Sequence, residues 1–275
     1  MSKLTPAPWI LYGTAWKKEN TALCVEQALH AGFRGIDTAN QLKHYDEARV
    51  GQALKDFYRA GAQREELFLQ TKFTSRGGQD DRLPYDEAAP LRQQVLQSFE
   101  NSLKHLHTDY IDSYVVHGPD GYPGLSDEDW EVWGAMEELH ASGRAKRIGI
   151  SNVNELQLAQ LVKDAKVKPT VVQNRCYASR GWDRPVRELC QEFGMSYQGF
   201  SLLTANPFVL DHPEVTAIAR RLGATGEQVV FRFASQVGMT PLTGTTSPEH
   251  MKQDLESAKL HLTPDEVERL ENIVG

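Results

Sequence analysis

The chain has 275 residues, of which 40% are hydrophobic, so it can bury a large core. Its net charge is −7 and it contains no basic run, which excludes the usual electrostatic signature of proteins that bind nucleic acid or an anionic membrane. It lacks a signal-type N-terminal segment and any apolar stretch near the roughly 20 residues that cross a bilayer. We therefore expect a cytoplasmic protein whose partner is a small molecule.

Eight apolar segments of strand length follow one another along the chain, and amphipathic helical stretches separate them. The segments are Trp9–Gly13, Gly35–Asp37, Leu67–Gln70, Ile111–Val116, Arg147–Ile150, Thr170–Gln173, Met195–Phe200 and Thr240–Thr243. Regular alternation of strands and helices is typical of parallel strands with crossover helices. The sequence therefore predicts an α/β fold, a (β/α)8 TIM barrel that forms one domain over residues 1–275.

Local signals mark the helix boundaries. Five glycines each follow a helical run, where a left-handed C-cap residue is favoured: Gly32, Gly61, Gly143, Gly194 and Gly223. Ser151 and Asn152 are predicted to cap a helix over residues 153–166. The longest irregular stretch, residues 74–90, follows the third strand, and in a barrel such a loop would overhang the site.

The three cysteines, Cys24, Cys176 and Cys190, are an odd number with no close pair. This pattern argues against a disulfide framework and against a zinc site, and no other metal site is expected. Cys24 and Cys190 lie on apolar helical faces, so we expect both thiols to be buried. Cys176 follows a strand-like segment and is the one thiol that could face a pocket.

Chemically active side chains end three successive strand-like segments: Asp37, Lys72 and His117, with Tyr45 just beyond the first. In a barrel, catalytic groups lie at these C-terminal strand ends. A phenol has a pKa of about 10, so a tyrosine that delivers a proton near neutral pH needs a cation close by. Lys72 could supply that charge while Asp37 holds the ammonium, and His117 could donate a hydrogen bond to a carbonyl oxygen. The set suits carbonyl reduction or the reverse oxidation.

Several longer motifs occur in a particular order. They are Gly32-Phe-Arg-Gly-Ile-Asp-Thr-Ala39, Glu47-Ala-Arg-Val-Gly-Gln-Ala-Leu54, Thr71-Lys72, His117, Gly149-Ile-Ser-Asn152, Gln173-Asn174 and Phe200-Ser-Leu-Leu203. In these motifs, over nearly its whole length, the chain resembles the aldo-keto reductases. The resemblance implies a TIM barrel, an NADPH or NADH cofactor bound without a glycine-rich Rossmann loop, and hydride transfer to aldehydes or ketones.

The resemblance also assigns roles to residues. Tyr45 would be the general acid, Lys72 and Asp37 its supporting pair, and His117 the group that orients the carbonyl. Ser151, Asn152 and Gln173 would bind the nicotinamide carboxamide, and Phe200 would stack on its ring. Further cofactor contacts would come from Thr14, Ala15, Asp37, Ser201 and Leu203. The substrate pocket would include Trp16, His44 and Thr74.

The loop that carries the acid departs from the family pattern. The catalytic tyrosine of the family follows the aspartate by five positions, but position 42 here is leucine. Counted back from Glu47, the expected position is His44, whereas the nearest tyrosine is Tyr45. We favour Tyr45 because only a phenol fits an acid assisted by a lysine. In that case His44 is a pocket residue. The alternative is that His44 is the acid in place of Tyr45.

The segment after the eighth strand departs as well. Gly244 and His250 stand where many members carry the lysine and arginine that grip the 2′-phosphate of NADPH. Hydroxyls and helix N-terminal amides remain to hold a phosphate, on Thr245, Thr246 and Ser247. NADPH is therefore expected, and NADH stays open. Gln253 and Asp254 occupy the positions expected to contact adenine.

Other functions are compatible with parts of the sequence. A non-catalytic relative, such as a regulatory or cofactor-sensing subunit, would keep the barrel, but the intact set of Tyr45, Lys72 and His117 argues against it. A carboxylate-based hydrolase on the same fold would need a second strand-end carboxylate near Asp37, and none is evident. The expected enzyme is an NAD(P)H-dependent aldo-keto reductase, and we expect a monomer.

Overall fold

A computed structural model describes residues 4–273 and shows eight parallel strands closed into a barrel. Each strand pairs with the next, and β8 pairs with β1. The (β/α)8 TIM barrel predicted from the sequence is confirmed. The strands are β1 (Leu11–Gly13), β2 (Gly35–Asp37), β3 (Phe68–Phe73), β4 (Ser113–Val116), β5 (Ile148–Ser151), β6 (Val171–Arg175), β7 (Ser196–Phe200) and β8 (Met239–Thr243).

Helices connect the strands and form the outer layer. They are α1 (Thr21–Ala31), α2 (Glu47–Arg59), α3 (Leu91–Leu106), α4 (Asp127–Ala141), α5 (Glu155–Asp164), α6 (Arg184–Glu192), α7 (Pro207–Leu210), α8 (Pro213–Leu222), α9 (Gly226–Gln236), α10 (Pro248–Glu256) and α11 (Pro264–Glu271). Short 3-10 turns cover Lys18–Asn20, Arg64–Glu66, Arg76–Gly78 and Ser257–Lys259, and a kinked turn covers Ala178–Asp183. Among residues 4–273, no helix is both long enough and apolar enough to cross a membrane.

Strand alternation separates an apolar core from a polar barrel interior. Ile36, Leu69 and Tyr197 face outward and belong to the apolar core between the strands and the helices. Their strand neighbours Asp37 and Gln70 are equally buried but belong to the polar interior. Because parallel strands start at one end of the barrel, their C-terminal ends share one mouth, and the candidate site lies there.

The N-terminus of α2 is fixed to the barrel by a buried carboxylate. Glu47 accepts hydrogen bonds from Thr71 on β3 and from Ser102 on α3. One turn later, α2 runs so close to α3 that a β-carbon on Gly51 would lie 1.7 Å from the backbone oxygen of His105. These contacts fix where the chain leaves the preceding loop, which is the loop that carries Tyr45.

The long loop after β3 packs against that same loop, as expected for a segment that overhangs the site. Gln41 donates to the backbone oxygen of Gly78 over 2.7 Å. Arg82 donates to the backbone oxygen of Leu42 over 2.9 Å. The two loops therefore form one wall of the barrel mouth.

Most local signals are confirmed, and two interpretations are wrong. All five glycines predicted as caps have positive φ. Cys24 and Cys190 are buried as expected, but so is Cys176, which is 0% exposed and lies beside Met239 instead of facing a pocket. Ser151 and Asn152 do not cap the next helix. The cap is Asn154, whose side chain accepts from the backbone of Gln157, and the helix covers Glu155–Asp164.

Candidate active site

Asp37 and Lys72, at the mouth ends of β2 and β3, form a buried ion pair. Lys72 Nζ lies 2.7 Å from both carboxylate oxygens of Asp37 and donates a third hydrogen bond, of 2.8 Å, to the backbone oxygen of Thr38. Burial lowers the pKa of Lys72, and the Asp37 carboxylate opposes that shift. All three ammonium hydrogens are therefore engaged, and none is donated to Tyr45.

Three glutamine side chains complete the surroundings of Asp37. Gln70 Nε2 and Gln173 Nε2 donate to Asp37 Oδ1 over 2.7 and 3.0 Å, and both also donate to Gln198 Oε1. Gln198 Nε2 in turn donates to Gln70 Oε1. Of these three glutamines, only Gln173 was predicted from the sequence. Strand alternation was a signal for Gln70, because it lies two residues before the inward-facing Lys72.

The phenol ring of Tyr45 lies against the ion pair and against His117. Its centroid is 5.5 Å from Lys72 Nζ and 5.8 Å from the imidazole centroid of His117, with an interplanar angle of 70°. Tyr45 Oη has no hydrogen-bond partner among residues 4–273. The ring of His44 instead stacks on Trp16 at a centroid distance of 3.9 Å, although His44 is near enough to contribute to the lowered pKa of His117. Of the two alternatives left by the loop spacing, the structure brings Tyr45 to Lys72 and His117.

The electrostatics of Tyr45 differ from the expectation. Burial raises the pKa of Tyr45, the Asp37 carboxylate raises it further, and the Arg175 guanidinium lowers it. Lys72, which was expected to lower this pKa, is paired with the Asp37 carboxylate, and the Arg175 guanidinium is the cation that mainly lowers it. Sequence analysis missed Arg175, although it lies two residues after Gln173 and strand alternation puts both on the inner face of β6. At neutral pH Tyr45 is a protonated phenol, which is the form that can donate a proton.

His117 follows β4 and faces the same space. Thr74 Oγ1 lies 2.7 Å from His117 Nδ1. Burial and the nearby charge of Lys72 lower the pKa of His117 to about 3, so its imidazole is neutral at neutral pH. Thr74 is 4% exposed, and its hydroxyl contacts the imidazole. The expectation that Thr74 lines the substrate pocket stays a prediction.

The groups expected to bind nicotinamide lie together at the ends of β5 and β6. Asn152 Nδ2 donates to the backbone oxygen of His117 over 2.8 Å and to Ser151 Oγ over 3.2 Å. Ser151 Oγ donates to the backbone oxygen of Gln173 over 2.6 Å. Within the described chain, Asn152 Oδ1 and Gln173 Oε1 accept no hydrogen bond. These two free acceptors fit the amide hydrogens of a carboxamide.

The remaining predicted residues of this rim lie on the loops after β1 and β7. Phe200 and Leu203 are half-buried, and the Phe200 ring is 5.4 Å from the guanidinium carbon of Arg175. Thr14 is buried and its hydroxyl donates to the backbone oxygen of Asp37, so Ala15 is the more accessible of that pair.

Three residues at the mouth have left-handed backbone. Trp16, Asn152 and Ser201 have φ values of 63°, 53° and 57°. Such conformations are unusual for residues other than glycine and persist where the surrounding structure imposes them, often at functional sites. Trp16 is also 66% exposed, although it is a large aromatic residue. The backbone therefore presents these side chains to the cleft in fixed directions.

The segment after β8 holds a cation that sequence analysis missed. Lys17 Nζ donates to the backbone oxygen of Gly244, and a β-carbon on Gly244 would lie 3.4 Å from that nitrogen. Lys17 thus occupies the space beside the position that lacks a lysine. Thr246 and His250 are exposed next to it.

The polar side chains at and near the N-terminus of α10 form hydrogen bonds within the protein. Ser247 caps α10 by accepting from the backbone of His250, and Thr245 Oγ1 accepts from the backbone of Ser247. Asp254 is 4% exposed and accepts a hydrogen bond of 2.7 Å from Thr243. The half-buried Gln253 donates to Glu249. The hydroxyls of this turn therefore support the backbone as well as facing the mouth.

Comparisons with known proteins agree with this geometry. The family model described as "Aldo/keto reductase family" matches residues 9–274. The chain is 30% identical over 267 residues to "Uncharacterized oxidoreductase YtbE" of Bacillus subtilis and 29% identical over 267 residues to "Glyoxal reductase" of the same organism, covering 96% of this chain and 88% of each relative.

Solved structures show the same likeness. An aldo-keto reductase enzyme, MGS-M4, from a deep-sea metagenome library superposes with a TM-score of 0.84 at 26% identity, covering 98% of this chain and 92% of that one. An aldo/keto reductase from Brucella melitensis superposes with a TM-score of 0.80 at 25% identity, covering 97% and 95%. The chain belongs to the aldo-keto reductase family of oxidoreductases.

Proposed function

We propose that this protein reduces aldehydes or ketones to alcohols with a nicotinamide cofactor, and that Tyr45 is its proton donor. The observation that carries the proposal is the meeting of Tyr45, His117 and the Asp37–Lys72 ion pair at one point of the barrel mouth. A phenol with a free hydroxyl beside a neutral imidazole suits the polarisation and protonation of a carbonyl oxygen.

In this proposal each residue of the site has a separate role in the reduction. A bound reduced nicotinamide would supply the hydride that reaches the carbonyl carbon. His117 orients the carbonyl oxygen by donating a hydrogen bond, and Tyr45 delivers the proton to that oxygen as its charge develops. The positive charges of Lys72 and Arg175 lie near the phenolate that this transfer leaves. Asp37 keeps Lys72 charged and fixed in a buried position.

The residues present fit a dinucleotide cofactor. Asn152 Oδ1 and Gln173 Oε1 are free to accept from a carboxamide, and Phe200 offers an aromatic face beside them. At the other end, Lys17 offers an ammonium next to Gly244, where the α10 N-terminus also favours an anion. We therefore propose NADPH as the preferred cofactor, with Lys17 supplying the charge that position 244 lacks. NADH is the alternative.

The first experiment follows cofactor absorbance during turnover of a panel of aldehydes and ketones, with NADPH and with NADH. The panel includes glyoxal, because a relative is named a glyoxal reductase. Wild type is compared with Tyr45→Phe, and Tyr122→Phe serves as the matched control, because it removes a phenol hydroxyl from an 88% exposed tyrosine. We expect Tyr45→Phe to lower kcat by about 10²- to 10⁴-fold and leave cofactor affinity nearly unchanged.

A second variant tests the alternative acid. His44→Phe keeps an aromatic ring to stack on Trp16 but removes the imidazole. We expect it to retain most of the turnover. Loss of activity in His44→Phe together with an active Tyr45→Phe would make His44 the acid. Wild-type protein that binds either cofactor tightly but reduces no carbonyl would instead favour a regulatory role.

A further inference from the structure

Thr74 is the direct hydrogen-bond partner of the imidazole that faces the reacting space. Its hydroxyl lies 2.7 Å from His117 Nδ1 and makes no other hydrogen bond with residues 4–273. Two arrangements give this contact. Either the hydroxyl donates to an unprotonated Nδ1, or a protonated Nδ1 donates to the hydroxyl.

Hydrogen-bond satisfaction distinguishes the two arrangements. If Nδ1 carries the proton, the Thr74 hydroxyl hydrogen is left in a site that is 4% exposed, with no acceptor among the described residues. An unpaired buried donor costs about 1–3 kcal/mol. If the hydroxyl donates to Nδ1, both groups are satisfied. The geometry therefore favours the tautomer of His117 whose single proton is on Nε2.

The surroundings hold Thr74 in place for this role. Its backbone oxygen accepts from Tyr85 Oη over 3.0 Å and from Gln79 Nε2 over 3.3 Å. Gln79 also donates to the backbone oxygen of Asn40, next to the loop that carries Tyr45. The backbone of His117 is fixed as well, because its nitrogen donates to the backbone oxygen of Phe73 over 2.8 Å. Neither partner is free to drift from the contact.

We propose that Thr74 is a positioning residue that fixes His117 as the Nε2–H tautomer, so that Nε2 donates a hydrogen bond to the substrate carbonyl oxygen. The proposal rests on the proposed carbonyl reduction. In the opposite tautomer, a nitrogen lone pair would face the oxygen lone pairs and repel the substrate. The side chain behind the histidine thus decides whether the imidazole attracts or repels a carbonyl.

The tautomer can be measured without any turnover. Nitrogen-15 NMR of labelled wild-type protein at neutral pH distinguishes protonated from unprotonated ring nitrogens, and His117→Gln identifies the signals of His117 among those of the nine histidines. We expect a protonated Nε2 and an unprotonated Nδ1. A protonated Nδ1 in the wild type overturns the proposal. This outcome does not depend on whether any variant folds.

Variants then connect the tautomer to activity. Thr74→Val keeps the shape but removes the hydroxyl, so we expect the tautomer signature to change and kcat to fall about tenfold to 100-fold, with cofactor affinity unchanged. Thr74→Ser keeps the hydroxyl and should restore both. The matched control is Thr170→Val, which removes a hydroxyl that bonds a backbone oxygen at the opposite end of the barrel.

The kinetic outcomes separate this proposal from the proposed function. A Thr74→Val protein that keeps both the wild-type tautomer and the wild-type kcat contradicts the role of Thr74. A Thr74→Ser protein as slow as Thr74→Val points to packing and also contradicts it. Wild-type protein that reduces no carbonyl contradicts the proposed function, while the NMR signature still decides whether Thr74 fixes the tautomer.

Discussion

Two corners of the barrel mouth each bury a carboxylate, but they stabilise it by different means. Asp37, between β2 and β3, faces the ammonium of Lys72 and the amides of Gln70 and Gln173. Asp254, on α10, receives a hydrogen bond from the hydroxyl of Thr243, and burial raises its pKa to about 6. The first corner holds its charge by pairing, whereas the second holds a charge that burial disfavours.

The lysines of the two corners also differ in pairing: Lys72 has an acidic partner, and Lys17 has none among residues 4–273. Lys72 donates all three of its hydrogens to Asp37 and Thr38, so its position is fixed and its charge is balanced. Lys17 donates to the uncharged backbone oxygen of Gly244, and it has no salt bridge among residues 4–273. Lys72 is therefore fixed in one ion pair, whereas Lys17 has no acidic partner in the described chain, as its proposed contact with a cofactor phosphate requires.

Removal of Lys72 should have the largest effect. Lys72→Met leaves Asp37 as a buried charge without a counterion, which costs about 3–5 kcal/mol of unfolding free energy. We expect almost complete loss of carbonyl reduction, because the support of Tyr45 is lost as well. Urea unfolding and steady-state kinetics measure the two effects, and Lys55→Met, at an exposed lysine of α2, is the control.

A double variant separates charge from chemistry. Adding Asp37→Asn to Lys72→Met removes the unpaired buried charge, so we expect part of the lost stability to return. Activity should not return, because the double variant still lacks the ammonium near Tyr45. Near-normal turnover by Lys72→Met would contradict the proposed link between Lys72 and the acid.

Lys17 sharpens the comparison at the other corner. If its ammonium faces the 2′-phosphate, Lys17→Met should weaken NADPH binding about tenfold, or about 1.4 kcal/mol, and affect NADH much less. Fluorescence titration with each cofactor measures this difference. Lys18→Met, at the exposed neighbouring lysine, should leave both affinities unchanged. An equal loss for both cofactors would place the contact away from the 2′-phosphate.

The sequence predicted the barrel, and with it the meeting of Asp37, Lys72 and His117 at one mouth, because both depend on local patterns. Alternating strands and helices specify the fold, and Asp37, Lys72 and His117 end strands that the fold must bring to one mouth. The position of the acid was harder, because the loop spacing fits both His44 and Tyr45. The contacts of Tyr45 with Lys72 and His117, together with the stack of His44 on Trp16, distinguish the two rings only in the folded structure.

The Lys17 corner was predicted less well because its contacts join distant parts of the chain. Lys17 and Gly244 are 227 positions apart, and no local pattern indicates that one compensates for the other. The contact of Thr74 with His117 was missed for a similar reason, since a strand-end position does not say whether a hydroxyl faces substrate or a neighbouring imidazole. Gln198 also escaped notice, because its partners Gln70 and Gln173 are on two other strands, β3 and β6.

Acid titration should reveal the buried histidine of the catalytic corner. The pKa of His117 is lowered to about 3, so in the range from about 6.5 down to 3 the unfolded state binds the additional proton. Its contribution to stability is complete above about pH 6.5 and is lost as pH falls through this window.

The corresponding variant removes this titration. We expect the unfolding free energy of His117→Gln to depend less steeply on pH between about pH 4 and 6, by up to about 1.4 kcal/mol per pH unit. Urea unfolding at several pH values measures the slope, and His30→Gln, on an exposed part of α1, is the control. An unchanged slope in His117→Gln would mean that the imidazole is not desolvated as the structure indicates.

Asp254 should give the smallest effect, and with the opposite sign. Its pKa is raised to about 6, so the folded state binds more protons than the unfolded state between about pH 4 and 6. The unfolding free energy therefore falls as pH rises through that window.

Asp254→Asn removes the buried charge but keeps an acceptor for Thr243. We expect it to stabilise the protein by about 1 kcal/mol at pH 8 and by much less at pH 4, whereas Asp109→Asn, at an exposed position, should not. Destabilisation at pH 8 would mean that the carboxylate has a partner worth more than its burial costs, and the two corners would then hold their charges in the same way.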